Sequence, residues 1–215
     1  LLETGSGASS LAMFLHCALY GGKMYSWDTN ASKGSFLRTV ISESMGKVLQ
    51  VDVNKIWNFI PFNSVDTNVG IRVLKELNTK ADFCFFDSWH TLEHIMKELQ
   101  EFEIIASSKF ILAFDDAYYK KKYSNYSYVN MLRTKLGLKK IKESKDNICK
   151  PFYIEIEKYL KNKYTKVLKV KDHYKSNYKK DIFFQYFASD RKFMNKMGME
   201  EKDKLAHRFD AFIVE

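Results

Sequence analysis

Short apolar runs alternate with stretches of helical periodicity through the first half of the chain. The runs predict five strands: a stub that ends at Leu2, then Lys23–Trp27, Ile56–Pro61, Asp82–Phe86 and Phe110–Phe114. The stretches between them predict four helices, at Ser9–Tyr20, Lys33–Val48, Asp66–Leu77 and Thr91–Ile105. Strands and helices that alternate in this way are typical of βαβ units, so we expect a mainly parallel sheet.

The second half of the chain has a different character. Residues 117–180 are rich in tyrosine and lysine, and we interpret them as helices and loops on one edge of the fold that shape the acceptor site. Two later apolar runs, Ile182–Ala188 and Phe209–Val214, have strand composition. The stretch between them is too long for a tight turn, so we expect an antiparallel pair that closes the edge of the sheet.

Length and composition favour one globular domain of 215 residues, 46% of them hydrophobic. Leu1-Leu2 already has the pattern of a strand end, so we expect N-terminal residues to be missing. No window reaches the roughly 18 apolar residues of a membrane helix, and nothing resembles a signal peptide. Three cysteines without metal-type spacing, Cys17, Cys84 and Cys149, favour a reducing compartment, hence the cytoplasm.

The net charge of +9 raises the question of a nucleic-acid partner. Only five of the 35 basic residues are arginine, the side chain that phosphate and base-edge recognition favours. The excess is lysine, accompanied by many asparagine, tyrosine, phenylalanine and isoleucine residues, as an AT-rich genome would produce without selection for binding. The charge therefore does not by itself predict nucleic-acid binding.

A glycine-containing loop follows the first strand and opens the first helix. Gly5, Ser6 and Gly7 lie in this loop, where backbone N–H groups can approach a ligand. The third glycine of a dinucleotide-binding loop is replaced by Ser10, which favours a ligand without pyrophosphate. Asp28 ends the second strand. Its distance along the chain from the glycine loop is close to the one at which an acid binds ribose hydroxyls in dinucleotide-binding folds. We predict an adenosine ligand; the alternative is a tight turn with a helix cap.

Acidic residues also end the fourth and fifth predicted strands. Asp87 follows one, and Asp115 and Asp116 follow the other. Carboxylates that converge at the carboxyl ends of parallel strands repel one another unless a cation lies between them, and oxygen ligands suit Mg²⁺. We therefore predict a divalent metal site. The alternative is that Asp87 and Asp115 cap the helices that follow them.

Two further motifs lie at the same end of the predicted sheet. Asn63 and Ser64 follow the third strand and could read an adenine edge; Ser64 could instead cap the next helix. The segment His90-Thr91-Leu92-Glu93-His94 matches the inverted zinc-protease pattern. That pattern needs a third ligand and leaves the glycine loop unexplained, so we expect His94 to be a surface or satisfied helix residue.

The order of these motifs resembles the class I S-adenosylmethionine-dependent methyltransferases, and within them the macrocin O-methyltransferase and cephalosporin hydroxylase-like families. The resemblance covers residues 1–116 and rests on Glu3-Thr4-Gly5-Ser6-Gly7, Asp28, Asn63-Ser64, the segment from Asp87 to Glu93, and Asp115-Asp116. It implies a Rossmann-like α/β sheet of seven mostly parallel strands, with an antiparallel strand at the edge and helices on both faces.

The resemblance also implies roles for individual residues. Glu3, Gly5, Ser6 and Gly7 would lie along the methionine part of S-adenosylmethionine, Asp28 at the ribose, and Asn63 and Ser64 near adenine. Asp87, Asp115 and Asp116 would hold Mg²⁺, and Asp87 or His90 would be the general base; a structural role at the start of its helix is the alternative for His90. Ser88 and Trp89 replace a Gly-Asp pair that many relatives carry, and Leu92 replaces a tyrosine.

The implied activity is O-methylation of a hydroxyl on a sugar or another polyhydroxy small molecule. An RNA or protein methyltransferase that uses the lysine-rich region is the second hypothesis, and a non-catalytic module that binds an adenosine ligand is the third. We expect no membrane partner, and a homo-oligomer stays open.

Overall fold

The computed structural model describes residues 1–115, 133–137, 139, 153–170 and 210–215. Within these residues seven strands form one sheet, in the order β3-β2-β1-β4-β5-β7-β6. The strands are β1 (Leu2–Thr4), β2 (Met24–Trp27), β3 (Trp57–Ile60), β4 (Ala81–Phe86), β5 (Ala106–Phe114), β6 (Val167–Lys169) and β7 (Asp210–Val214). Strands β1 to β5 pair in parallel, whereas β7 runs antiparallel to both β5 and β6. The predicted class of fold is confirmed.

The described helices are α1 (Ala8–Tyr20), α2 (Ala31–Ile41), α3 (Lys47–Leu49), α4 (Val53–Ile56), α5 (Val73–Glu76), α6 (Leu92–Ile105) and α7 (Tyr153–Lys163). A π-helical turn at Ser42–Gly46 joins α2 to α3. Helix α2 begins before the predicted position because Asn30 caps it, its side chain accepting a hydrogen bond from the Lys33 N–H at 3.1 Å. The predicted helices before β2 and β5 match α1 and α6.

The helix predicted at Asp66–Leu77 is wrong over most of its length, since only α5 is helical there. The Asp66 side chain accepts hydrogen bonds from the N–H groups of Asn68 and Val69, at 2.8 and 3.1 Å. The Ile71 N–H then returns to the Ser64 carbonyl at 2.8 Å. A short acidic side chain that bonds its own backbone in this way competes with helix formation, so the segment folds as turns.

The closing edge of the sheet is partly as predicted. Strand β7 matches the predicted Phe209–Val214, and residues 182–188 lie outside the described part of the chain. The partner of β7 on its outer side is instead β6, within the range 117–180 that was interpreted as helices and loops. The antiparallel strand is therefore second from the edge. Three residues among lysines carry too little periodicity to predict a strand.

Apolar side chains pack on both faces of the sheet. On one face Met13, Phe14 and Cys17 of α1 pack with Leu37 and Ile41 of α2. The other face carries Ile95, Leu99 and Phe102 of α6 against the buried sides of β4, β5 and β7. There the ring of Phe86 stacks on that of Phe114 with centroids 4.8 Å apart. Cys84 is buried core, as expected.

Among the described helices, none combines the length and the apolar character that crossing a membrane requires.

The loop after β1 is fixed by a close backbone approach at Gly5. Gly5 has a φ of 83°, and a Cβ placed there would lie 1.9 Å from the Asp87 carbonyl oxygen. Gly21 has nearly the same φ, 84°, but a Cβ there would meet nothing within 4 Å. A side chain at either position would incur backbone strain, but only one at Gly5 would also clash with a neighbouring strand end.

We expect Gly5→Ala to lower the free energy of unfolding by about 1–3 kcal/mol more than Gly21→Ala, because both substitutions incur backbone strain but only the first also forces two strand ends apart. Urea denaturation followed by circular dichroism measures both variants. Equal losses would show that β1 and β4 do not need this contact.

Candidate active site

A cavity of ≈ 470 Å³ opens where β1, β2, β3 and β4 end. Its volume falls in the range of small-molecule sites, and open α/β sheets bind ligands at this edge. The lining residues are Gly5, Trp27, Asp28, Thr29, Lys33, Phe62, Asn63, Ser64, Asp87, Ser88, Trp89 and His94. The cavity thus brings together four motifs that lie far apart in the sequence.

The sequence predicts that the N–H groups of the glycine loop face a ligand. In the structure they donate hydrogen bonds within the protein instead. The Gly5 N–H donates to the Trp27 carbonyl at 2.7 Å, and the Ser6 N–H donates to Asp28 Oδ2 at 3.0 Å. The Gly7 N–H donates to Ser10 Oγ at 3.0 Å. These three donors hold the loop against β2 and the start of α1. Ser6 Oγ, by contrast, is buried without a hydrogen-bond partner among the described residues.

Glu3 lies beneath this loop and is fully buried, so it does not line the cavity. Its carboxylate accepts hydrogen bonds from the hydroxyls of Ser9, Ser10 and Ser26. Burial raises the pKa of Glu3, and the three serine hydrogen bonds offset part of that rise. The residue therefore ties β1 and β2 to the first turn of α1.

Asp28 lines the cavity at the end of β2, where the sequence places it. Its Oδ2 accepts from the Ser6 N–H and from Lys33 Nζ, the latter at 2.7 Å, and its Oδ1 accepts from the Asn30 N–H at 2.9 Å. Burial alone would raise the pKa of Asp28, but the hydrogen bonds from Lys33, Asn30 and Ser6 outweigh it and lower the pKa. Asp28 is thus held as a carboxylate beside the cavity.

Asn63 and Ser64 both line the cavity after β3. The Asn63 side chain accepts from the Val65 N–H at 3.1 Å, and Ser64 Oγ donates to Glu98 Oε1. The alternative that Ser64 caps a helix is wrong, because the residues that follow it form turns.

The structure gathers Asp87, His90 and Asp115 into one cluster. Each offers a potential metal-ligating atom, and these atoms lie within 4.8 Å of one another. His90 Nε2 is 3.4 Å from Asp87 Oδ1. The sequence predicted only carboxylates here, and the cluster adds an imidazole that the predicted ligand set did not contain. Asp116, also predicted as a ligand, lies outside the described residues.

Two alternatives for this region are wrong. Asp87 does not cap the next helix, because the side chain of Thr91 caps α6 by accepting from the His94 N–H at 3.3 Å. The zinc-protease interpretation is also wrong. The exposed Glu93 pairs with Lys97 at 2.8 Å, and among the described residues the cluster of potential metal ligands around His90 does not contain His94. Instead His94 lines the cavity, which the sequence interpretation did not expect.

Sequence reasoning missed Glu98, a fully buried acid on α6. Its Oε2 accepts from Thr4 Oγ1 at 3.1 Å, and its Oε1 accepts from Ser64 Oγ and from Ser88 Oγ, the latter at 2.7 Å. One signal was available: Glu98 stands three residues after Ile95 and directly before Leu99, on the apolar face of its helix. An acid on such a face needs buried partners.

A scan against protein-family models finds no match, and a search of curated proteins finds none either. Solved structures of several methyltransferases are similar. CalS11, a TDP-rhamnose 3′-O-methyltransferase of calicheamicin biosynthesis, has 17% identity and a TM-score of 0.44 over 63% of this chain and 61% of that one. MycE of the mycinamycin pathway, in complex with Mg and S-adenosylhomocysteine, has 15% identity and a TM-score of 0.39 over 63% of this chain and 37% of MycE.

A third similar structure is an O-methyltransferase of a trans-AT polyketide synthase from Brevibacillus brevis, with 8% identity and a TM-score of 0.49 over 99% of this chain and 64% of that one. At these scores the assignment of the fold rests on the sheet itself. With β7 reversed between β5 and β6, it is the mostly parallel, seven-stranded Rossmann-like sheet that the resemblance to the class I S-adenosylmethionine-dependent methyltransferases implied. The chain has this fold; the narrower resemblance to the macrocin and cephalosporin hydroxylase-like families stays a prediction.

We expect Lys33→Met to raise the pKa of Asp28, because it removes a hydrogen bond and a positive charge from a carboxylate whose pKa lies below its ordinary value of 3.8. Because the pKa is lowered in the folded state, Asp28 stabilises the fold at neutral pH and loses this contribution as the pH falls through its folded pKa. In both proteins the loss begins near the pKa of the unfolded chain, so the variant should show a smaller total loss that is complete at a higher pH. Carboxyl ¹³C shifts followed by NMR report the titration.

Lys47→Met is the matched control, since Lys47 pairs with the exposed Glu43 on another part of the surface. It should leave the Asp28 titration unchanged. An unchanged titration in Lys33→Met would contradict the role of this ion pair.

Proposed function

We propose that the chain is an S-adenosylmethionine-dependent O-methyltransferase that acts on a hydroxyl of a sugar or another polyhydroxy small molecule. One observation carries the proposal: a single cavity joins Gly5 and Asp28, at the ends of β1 and β2, to Asp87 at the end of β4. Direct methyl transfer needs donor and acceptor side by side in one site. The cavity offers a cofactor end and an acceptor end within reach of each other.

The residues at the cofactor end fit S-adenosylmethionine. Gly5 lines the cavity, and with Ser6 and Gly7 it would lie along the methionine part of the cofactor; the buried Ser6 hydroxyl in this loop has no hydrogen-bond partner among the described residues. Glu3 would support this loop from beneath through its serine contacts. Among the described residues Asp28 Oδ1 accepts a hydrogen bond from Asn30 alone, so it retains room for a ribose hydroxyl.

The adenine of the cofactor would lie toward the wall formed by Asn63 and Ser64. Both residues follow β3, and they belong to a different strand end from Asp87 of the cluster of potential metal ligands. Their side chains are already oriented by contacts within the protein, which favours binding without reorganisation.

At the acceptor end Asp87, Asp115 and His90 fit a divalent cation. Two carboxylates suit Mg²⁺, and the imidazole also suits Mn²⁺. Asp116 directly follows Asp115 in the sequence and would complete the carboxylate set. Such an ion lowers the pKa of an acceptor hydroxyl and orients it.

In the proposed reaction the acceptor oxygen attacks the methyl carbon in line with the leaving sulfur. The new C–O bond forms as the C–S bond breaks, which yields a methyl ether and S-adenosylhomocysteine. The hydroxyl proton would pass to Asp87 or His90, to whichever of the two is not bound to the cation; Asp87 Oδ1 and His90 Nε2 lie 3.4 Å apart. Their position at the end of β4 would place this base beside the acceptor.

Among the described residues the charge distribution favours a small acceptor over a nucleic acid. Many described lysines lie within ion-pair distance of carboxylates, among them Lys33, Lys47, Lys97, Lys109, Lys161, Lys163, Lys166 and Lys169. Neutralised lysines contribute little to the continuous basic stripe that binding a phosphate backbone requires.

We expect wild-type protein to bind S-adenosylhomocysteine and Asp28→Ala to weaken that binding by about 1–3 kcal/mol, because ribose hydroxyls would lose their charged acceptor. Isothermal titration calorimetry measures both. Asp52→Ala is the control: Asp52 also accepts a backbone N–H, at 3.0 Å from Asn54, but does not line the cavity. No binding to the wild type would overturn the proposed cofactor.

We expect Asp115→Asn to weaken Mn²⁺ binding on the order of tenfold or more, since it removes a charged ligand while keeping the shape of the side chain. S-adenosylhomocysteine binding should persist, because Asp115 does not line the cavity. Electron paramagnetic resonance counts bound Mn²⁺. Asp82→Asn, at the opposite end of β4, should change neither measurement, and equal Mn²⁺ binding by all three proteins would contradict the metal site.

A further inference from the structure

The imidazole of His94 lies at the cavity wall, beside the buried acid Glu98. Both residues belong to α6, one turn apart, and His94 Nε2 is 3.3 Å from Glu98 Oε1. The His94 side chain is 20% exposed, whereas that of Glu98 is 0% exposed. The Nε2 edge of the ring therefore faces a buried carboxylate while the residue still contributes to the cavity surface.

The contacts of Glu98 locate His94 within the cavity. Glu98 Oε1, the oxygen nearest His94, also accepts the hydroxyl hydrogen of Ser64. The same oxygen accepts from Ser88 Oγ, so Nε2 of His94 lies near both hydroxyls, between the ends of β3 and β4. Ser64 belongs to the wall to which the adenine of the cofactor is assigned under the proposed function.

The same contacts decide which nitrogen of His94 carries the proton. The hydroxyls of Thr4, Ser64 and Ser88 all donate to Glu98, so its carboxylate acts as an acceptor throughout. An imidazole nitrogen that faces such an acceptor favours carrying the hydrogen, so we assign the proton of the neutral imidazole to Nε2. Nδ1 is then a hydrogen-bond acceptor.

We propose that His94, oriented by Glu98, makes the site selective for adenine by accepting a hydrogen bond from the 6-amino group of the base. This inference rests on the proposed function and assigns a specificity-determining residue to the same site. The half-exposed rings of Phe62 and Trp89, which also line the cavity, offer flat apolar surfaces for a purine at this wall.

The distinguishing probe is the 6-oxo analogue of S-adenosylhomocysteine, in which hypoxanthine replaces adenine. Its exocyclic 6-carbonyl oxygen accepts hydrogen bonds where the 6-amino group of adenine donates, so two acceptors would face each other at His94. We expect the wild type to bind S-adenosylhomocysteine about tenfold or more tightly than this analogue, as measured by isothermal titration calorimetry.

Two variants test the residues separately. His94→Leu removes the acceptor, so the preference for S-adenosylhomocysteine should fall to near unity through weaker binding of this ligand. His94→Gln offers a carbonyl oxygen in its place and should restore part of the preference. Glu98→Gln should reduce the preference with His94 still present, and long-range ¹⁵N–¹H spectra should show a changed tautomer at His94.

Glu103→Gln is the matched control for Glu98. Glu103 is a buried acid on the same helix, and the hydroxyls of Tyr159 and Tyr164 donate to it away from the cavity. Its replacement should lower stability and leave the ligand preference unchanged. His16→Leu, on α1 beside Tyr20, is the control for His94.

The outcomes separate the two proposals. If the wild type binds neither compound, the proposed function fails and this inference fails with it. If both compounds bind and His94→Leu leaves their ratio unchanged, only the role of His94 is overturned. A wild type that prefers the 6-oxo analogue would show that His94 donates at this site and would also overturn the inference.

Discussion

The fully buried carboxylate of Glu98 constrains how the helix after β4 packs against the sheet. An acid in apolar surroundings must find hydrogen-bond donors, or folding loses several kcal/mol. The donors come from Thr4 in β1, Ser64 after β3 and Ser88 after β4. The apolar face of α6 can therefore be buried only when these strand ends are correctly placed, so formation of the core also forms one wall of the cavity.

Two other carboxylates organise the opposite wall in the same way. Glu3 collects serine hydroxyls from β2 and α1, and Asp28 collects the Ser6 N–H and the ammonium of Lys33. The sequence suggested that the N–H groups of this loop are available for a ligand. In the structure they hold the loop in place. A wall held by internal hydrogen bonds is preorganised, which reduces the entropy that ligand binding must overcome.

Different strand ends contribute different chemical groups to the site. The ends of β1, β2 and β3 supply polar groups suited to an adenosine ligand, whereas the ends of β4 and β5 supply the cluster of Asp87, His90 and Asp115. Parallel strands end at one edge, so residues from separate βαβ units meet there without any long-range sequence signal. The proposed transfer between two ligands depends on this meeting.

The sequence by itself determined β1 to β5, the helices α1 and α6, and the position of Asp28, Asn63, Ser64 and Asp87 at one edge, because periodicity and strand ends are local properties of the chain. Tertiary structure decided what the neighbours of each residue are. The turns that replace the helix predicted after Ser64 are held by local hydrogen bonds of Asp66, which hydrophobic periodicity does not reveal. Tertiary structure also added β6, joined His90 and Asp87 to Asp115, and brought Thr4 and Ser64 to the carboxylate of Glu98. These last features depend on contacts between segments tens of residues apart, which no local pattern encodes.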